Sequence, residues 1–167
     1  VQHPEEFLHE VKLVGLSLVY LTNWRLAFGW DYSLDPTAII WSLSMEEQFY
    51  LLWPPTLMIL LSCKIKQSRI AIALVLIVLA VGFHRAMLWS EGAELNRMYY
   101  GTDTRADALF AGCLVAFLAQ HRLSARLKST VRILGFTAAI LLTYLISTVT
   151  FTGQFLYRGG YTLIALA

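Results

Sequence analysis

At 167 residues, with 57% hydrophobic side chains, 14% charged ones and a mean hydropathy of +0.60, the chain is too apolar for an ordinary water-soluble domain, where charge runs near about a quarter. The net charge of +2 is too small to suggest nucleic acid, and the basic residues are not interleaved with aromatics as a single-strand binder requires. A membrane protein is what remains.

The predicted elements follow from the rule that a hydrocarbon core about 30 Å thick takes roughly 17 to 25 apolar residues per helix. A weak segment runs from Val11 to Trp24. Trp41 to Cys63 spans if Glu46 and Glu47 are tolerated near its start. Ile70 to Trp89 follows, charged only at Arg85, with His84 beside it. Arg105 to Gln120 is more marginal, with Arg105 and Asp107 at its head, whereas Ile133 to Phe151 carries no formal charge. Phe155 to Ala167 reads as the beginning of another helix. No stretch of useful length alternates with period two, so the expected fold class is all-α: a polytopic transmembrane helix bundle of about five spans plus the start of a sixth.

Charge in the connections predicts orientation. Lys64, Lys66 and Arg69 in one loop, and Arg122, Arg126, Lys128 and Arg132 in another, make up seven of the 13 basic residues, with no acid among them. Both loops are therefore expected on the cytoplasmic side, and two spans separate them, as that placement requires. Asp31, Asp35, Glu91, Glu94 and Asp103 then fall in outward-facing loops, and Glu46, Glu47, Arg105 and Asp107 share the outer level of two descending helices. Cys63 and Cys113 lie in apolar surroundings without metal-ligand spacing and are expected to be buried thiols. The chain opens without Met or a signal-peptide pattern, which predicts a piece of a longer protein.

Capping explains part of the charge. Ser44 to Glu47 and Thr104 to Asp107 fit the pattern in which a hydroxyl and a carboxylate satisfy free N-H groups at a helix start, and Asp35-Pro36 fits a cap as well. Glu46 is left over, and a charge at the bilayer centre costs about 2.5 to 3.5 kcal/mol on insertion scales. At about 100° per residue, Ser42, Glu46, Phe49 and Trp53 share a stripe while Gln48 points roughly 160° from Glu46. Pro54-Pro55 removes backbone hydrogen bonds and predicts a kink below the acidic turn. On the second helix the small residues Ala108, Ala111, Gly112, Cys113 and Ala116 permit close approach of a neighbour. Arg105 reads as an interfacial anchor or as a buried partner for Glu46 or an anionic group. His84 reads as an interfacial side chain, and no histidine joins a Ser and Asp in a nucleophile arrangement. The aromatics Trp24, Trp30, Trp41, Tyr99 and Tyr100 fit a belt near the outer boundary.

Taken whole, WSLSMEEQFYLLWP resembles the signature of acyltransferase family 3 of integral membrane proteins, and GTDTRADALFAGCLVAFL resembles that family's second hallmark, Arg-x-Asp-x-Leu-x-x-Gly. The order matches, a hydrophobic hairpin separates them, and YLTNW upstream also fits. The resemblance implies transfer of an acyl group, commonly acetyl, from acetyl-CoA or another acyl-CoA to a hydroxyl of an envelope carbohydrate, with acetyl-CoA as donor substrate and no bound cofactor. It implies residues 1–167 as part of one transmembrane acyltransferase domain in the bacterial cytoplasmic membrane, partnered by the bilayer and by N-terminal helices outside this chain. Trp41, Ser42, Glu46, Gln48, Phe49, Tyr50, Arg105, Asp107 and Gly112 are the positions that match. Glu46, Arg105 and Asp107 are expected to be catalytic, and Trp41, Ser42, Glu47, Gln48 and Tyr50 to bind or support substrate. Two departures stand out: Ile39 replaces a His often found before the motif, and the family's first-helix His, eleven residues after a basic one, has no match, since Ala73 and Phe110 precede His84 and His121 at that distance. An alternative expectation is a transporter whose intramembrane charges line a substrate path.

Overall fold

The computed structural model describes residues 4–30, 36–119, 125–148 and 155–166. Helix α1 spans Pro4–Leu18 and α2 Thr22–Ala27; a 3-10 turn, Pro36–Ile40, leads into α3, Trp41–Ser62. Then come α4 (Gln67–Ser90), α5 (Leu95–Tyr100), α6 (Thr102–Ala119) and α7 (Ala125–Thr148). A kinked turn, Leu156–Gly160, with Gly159 at φ 138, opens into α8, Tyr161–Leu166. There is no strand among the described residues, so the fold is all-α. Of the described helices, α4 alone is long and apolar enough by composition to cross a membrane. His3, Asp31, Asp35, His121 and Arg122 lie outside the described residues.

Three helix ends share one solution to the unsatisfied carbonyls of a last turn. After α1, Leu21 N-H donates to Leu16 O and Tyr20 N-H to Ser17 O; after α3, Ile65 donates to Leu60 and Lys64 to Leu61; after α4, Ala93 donates to Leu88 and Gly92 to Trp89. Each needs a left-handed residue at the exit, and these are Tyr20 (φ 57), Lys64 (φ 54) and Gly92 (φ 77). The Val11 to Trp24 segment is therefore two helices rather than one span, broken at Tyr20.

Two further expectations are corrected. Ile40, not a serine, precedes α3, and Ser44 lies one turn inside it, donating to Ile40 O at 3.1 Å. Likewise Thr104 sits inside α6 and donates to Met98 O and Gly101 O, so neither hydroxyl caps a helix with the acid three residues on. Pro54 and Pro55, where a kink is expected, lie within the helical run of α3.

The packing centres on α6. It lies along α4 over the longest interface, and α8 crosses both. One apolar cluster joins Ile70 and Leu74 to Phe117, with Trp53, Leu57 and Phe110 against it; a second joins Met98, Leu156 and Tyr157, with Trp89 and Tyr161 packed on them. The outer surfaces of α3 and α4 are apolar as well, with Leu51 75% and Phe83 67% exposed. Such faces suit lipid or further helices rather than water. Cys63 is exposed at the exit from α3, against expectation, while Cys113 is half-buried.

Candidate active site

Buried polar side chains collect at the end of the bundle where α4 finishes, α5 lies across, and α6 begins. Arg85 on α4 is 0% exposed and Asp107 on α6 2%, and their side chains meet at 2.9 Å. Thr162 on α8 closes the arrangement: Arg85 donates to its Oγ1 at 2.7 Å, and that hydroxyl donates to Asp107 Oδ2 at 2.8 Å. Arg85 also donates to Thr104 O. Gly82 makes this possible, because a Cβ there would stand 2.6 Å from Thr162 Oγ1. Arg85 is thus an interior ion-pair partner rather than an end-of-span charge. A lone cation in an apolar span is costly unless paired, which was the signal available in the sequence.

Arg105, two residues from Asp107, is held differently. Its guanidinium carbon lies 3.9 Å from the Tyr161 ring centre and 5.2 Å from that of Tyr99. Nη1 is buried and has no hydrogen-bond partner. Among the described residues Glu46 and Arg105 form no ion pair, so the pairing expected from their common level is absent. Glu46 is half-buried one turn into α3, at the edge of the arc that places Phe49 and Trp53 on Phe110 of α6 at 5.3 and 5.5 Å. Trp41 rests on Tyr99 and Tyr100 at 5.0 and 5.2 Å, so three of the aromatics expected near the outer boundary pack together at this end of the bundle.

Gln48 is fully engaged. Its amide nitrogen donates to Tyr20 O at 2.6 Å and to Asn23 Oδ1 at 3.0 Å, while Thr102 donates to its carbonyl oxygen at 2.7 Å. Asn23, 0% exposed, donates in turn to Thr102 Oγ1 and Tyr100 O. This network fastens α2, α3 and α6 together, and only the YLTNW resemblance pointed toward its buried Asn23. Below it an apolar cavity of ≈ 260 Å³ lies between Phe49, Trp53, Ile77 and Phe110. Glu47 and Tyr50 border a separate shallow pocket with Val19 and Tyr20, and Ser42 is exposed. Gly112 has open space where a side chain would stand, whereas Ala111 is fully buried.

A charged cluster covers the rim. Asp103 takes two hydrogen bonds from Arg97, at 2.8 and 2.5 Å, and its Oδ2 lies 3.0 Å from His84 Nε2. Arg97 in turn lies over the Trp24 and Phe28 rings. Burial pushes the Asp103 carboxyl up, but Arg97 and then His84 outweigh it and hold it below the ordinary range. Burial, reinforced by Tyr99, pushes the Tyr100 hydroxyl up. Among the described residues no group of three His, Cys, Asp or Glu side chains is placed to hold a metal.

A helical protein with an apolar exterior and paired and unpaired arginines at one level is the class that the fold and site define. No protein-family model matches the chain, and no solved structure does. Relatives are found by sequence. The chain is 34% identical over 182 residues to YrhL of Bacillus subtilis (strain 168), named as a candidate peptidoglycan O-acetyltransferase, with 99% of this chain and 28% of that protein covered. It is 33% identical over 179 residues to the peptidoglycan O-acetyltransferase OatA of Listeria monocytogenes, covering 98% and 28%, and 27% identical over 174 residues to the O-acetyltransferase OatA of Staphylococcus aureus, covering 98% and 29%. The chain therefore spans between a quarter and a third of the length of these relatives. It belongs to their family, acyltransferase family 3.

Proposed function

We propose that this chain forms part of the active-site wall of a multi-pass membrane O-acetyltransferase, which moves acetyl from acetyl-CoA to a hydroxyl of an envelope carbohydrate such as peptidoglycan, in the bacterial cytoplasmic membrane. The observation that carries this reading is Arg105: a half-buried side chain whose guanidinium is held by two tyrosine faces, with a buried Nη1 that has no hydrogen-bond partner among the described residues. Acyl transfer develops negative charge on the carbonyl oxygen, and a pre-oriented cation in a dry site stabilises it. Glu46, which forms no ion pair among the described residues and lies near the start of α3, orients or tunes the base that takes the acceptor proton. Asp107 acts as a positioning residue, since its carboxylate is held by Arg85 and Thr162. Gln48 and Trp41 position the walls through Asn23, Thr102 and the α5 tyrosines. The names of the relatives favour acyl transfer over transport as the reading of these charges.

The test uses the full-length protein in membrane vesicles with acetyl-labelled acetyl-CoA and peptidoglycan fragments. Alkali-labile acetate on the glycan is the expected product, and Glu46→Gln at equal expression is expected to lower its rate at least tenfold. Substrate movement without acetyl transfer would sink the proposal.

A further inference from the structure

The shallow pocket beside α3 takes no part in the chemistry assigned above. It measures ≈ 290 Å³ and lies where the exit of α1 passes α3, bordered by Val19 and Tyr20 on one side and by Glu47, Gln48, Tyr50 and Leu51 on the other. Glu47, Tyr50 and Leu51 stand at i, i+3 and i+4, so one face of the helix presents them together. Gln48 fixes the opposite wall, because its amide donates to Tyr20 O at 2.6 Å. Tyr20 holds φ 57, a left-handed conformation uncommon for an aromatic residue. Lys64 takes the same conformation at the exit of α3, so the turn alone is a helix exit; the pocket and the bond from Gln48 set Tyr20 apart.

The lining has a definite chemistry. Glu47 is half-buried, and its carboxylate forms no hydrogen bond or ion pair among the described residues. Tyr20 is 42% exposed and Tyr50 56%, so both keep ring surface uncovered. With one carboxylate and no cation, the lining repels the phosphates of a CoA donor or of lipid head groups and accepts hydrogen bonds from hydroxyls. Val19, Leu51 and the two rings suit C–H surface on the same ligand. Hydroxyls at the edge and C–H groups on the faces describe a sugar ring. The space lies at the low end of ligand sites, about 300 to 1,000 Å³, which fits one ring, and its shallowness suits a ring whose neighbours in a polymer must stay outside. The charge bias that sends the basic exit of α3 to the cytoplasm turns its first two turns, and this pocket with them, outward to where envelope glycan lies.

We propose that this pocket is the acceptor subsite: it holds an uncharged sugar ring of the envelope glycan, with Glu47 accepting hydrogen bonds from its hydroxyls and Tyr20 and Tyr50 covering its C–H faces. This rests on the acyl-transfer reading above and adds to it the place where the acceptor binds. Gln48 borders both this pocket and the apolar cavity between α3 and α6, so one side chain is the wall that the two spaces share.

The test uses the full-length protein in membrane vesicles, with acetyl-CoA and soluble peptidoglycan fragments each varied in turn. Glu47→Gln is expected to raise KM for the glycan about tenfold, the scale of losing one hydrogen bond to a charged group, while kcat and KM for acetyl-CoA stay within about twofold, as for lost ground-state binding. Tyr20→Gly should raise the glycan KM and also the melting temperature in detergent, since glycine accepts the left-handed turn without strain. A merely structural role for Tyr20 would move the second and not the first. A glycan KM unchanged in either variant would overturn the inference. So would a sharp fall in melting temperature for Tyr50→Ala, which would mean that a further helix of the full-length protein fills the pocket. If the unsubstituted protein transfers no acetyl, the acyl-transfer reading itself fails and this inference with it; an active parent whose variants keep its glycan KM removes this inference alone.

Discussion

Arg85 and Arg105 face the same tyrosine, Tyr161, at 5.3 and 3.9 Å, yet the protein treats them in opposite ways. On the α4 side, Asp107 neutralises Arg85, and Thr162 and Thr104 take its hydrogen bonds. On the α5 side, Arg105 has two aromatic faces, no ion pair among the described residues and a buried Nη1 without a hydrogen-bond partner there. The first arrangement joins three helices through an ion pair, although Arg85 Nε is left without a hydrogen bond; the second holds its cation against aromatic rings. A buried cation matched by a carboxylate is architecture, whereas one that has aromatic faces and no ion pair among the described residues is open to another role.

The largest effect should follow from breaking the ion-paired side. Arg85→Met alone leaves Asp107 buried without its cation, a loss of about 3 to 5 kcal/mol for such pairs. Thermal unfolding of the detergent-solubilised full-length protein should show it as a large drop or as failure to accumulate. Joining Arg85→Met to Asp107→Leu should restore much of the stability, because no uncompensated charge then remains. A double variant as unstable as the single one would mean that the triad holds the helices by its hydrogen bonds rather than by charge.

Arg105 should respond in the reverse sense. Arg105→Lys keeps a cation but loses the planar face over Tyr161, so stability should change by no more than the cation-π contribution of about 0.5 to 2 kcal/mol. Acetyl transfer should nevertheless fall by about 10²-fold, the loss expected from one misplaced oxyanion donor. Equal losses of stability for Arg85→Met and Arg105→Lys would erase the distinction between the two sides.

How much of this was legible depends on how far each signal reaches along the chain. Apolar runs placed α3, α4 and α6 closely, since length and hydropathy are local, whereas α7 begins at Ala125, well before the expected Ile133, because the basic residues Arg126, Lys128 and Arg132 read as a loop. The break at Tyr20 was not legible, because an aromatic in the left-handed region carries none of the signal that Gly92 does. Ser44 and Thr104 misled, since Ser-x-x-Glu and Thr-x-x-Asp describe a cap and a hydroxyl bonded back along a helix equally well. In the site, the motif residues Trp41, Gln48 and Asp107 do converge on one end of the bundle. Their partners Asn23, Arg85, Tyr157 and Thr162 come from elements far apart in sequence, and no spacing rule joins them.

Smaller perturbations sharpen the comparison. Gly82→Ala sets a methyl where Thr162 Oγ1 now stands and should cost about 1 to 3 kcal/mol, as overpacking does. Thr162→Ala in the same chain should relieve the clash, so the two changes together should cost less than their sum. The smallest effect tests the helix exits. Lys64 holds φ 54 and is exposed, so Lys64→Gly removes strain of about 1 to 2 kcal/mol, offset by roughly 0.5 to 1 kcal/mol of extra freedom in the unfolded chain. A melting temperature slightly above that of the parent, with acetyl transfer unchanged, is the expected outcome. Gly92→Ala at φ 77 should move it the other way, since Ala accepts strain that Gly does not feel. If both substitutions left the melting temperature in place, the exits of α3 and α4 would be looser than their hydrogen bonds imply, and the polar site would owe its rigidity to the Arg85 triad alone.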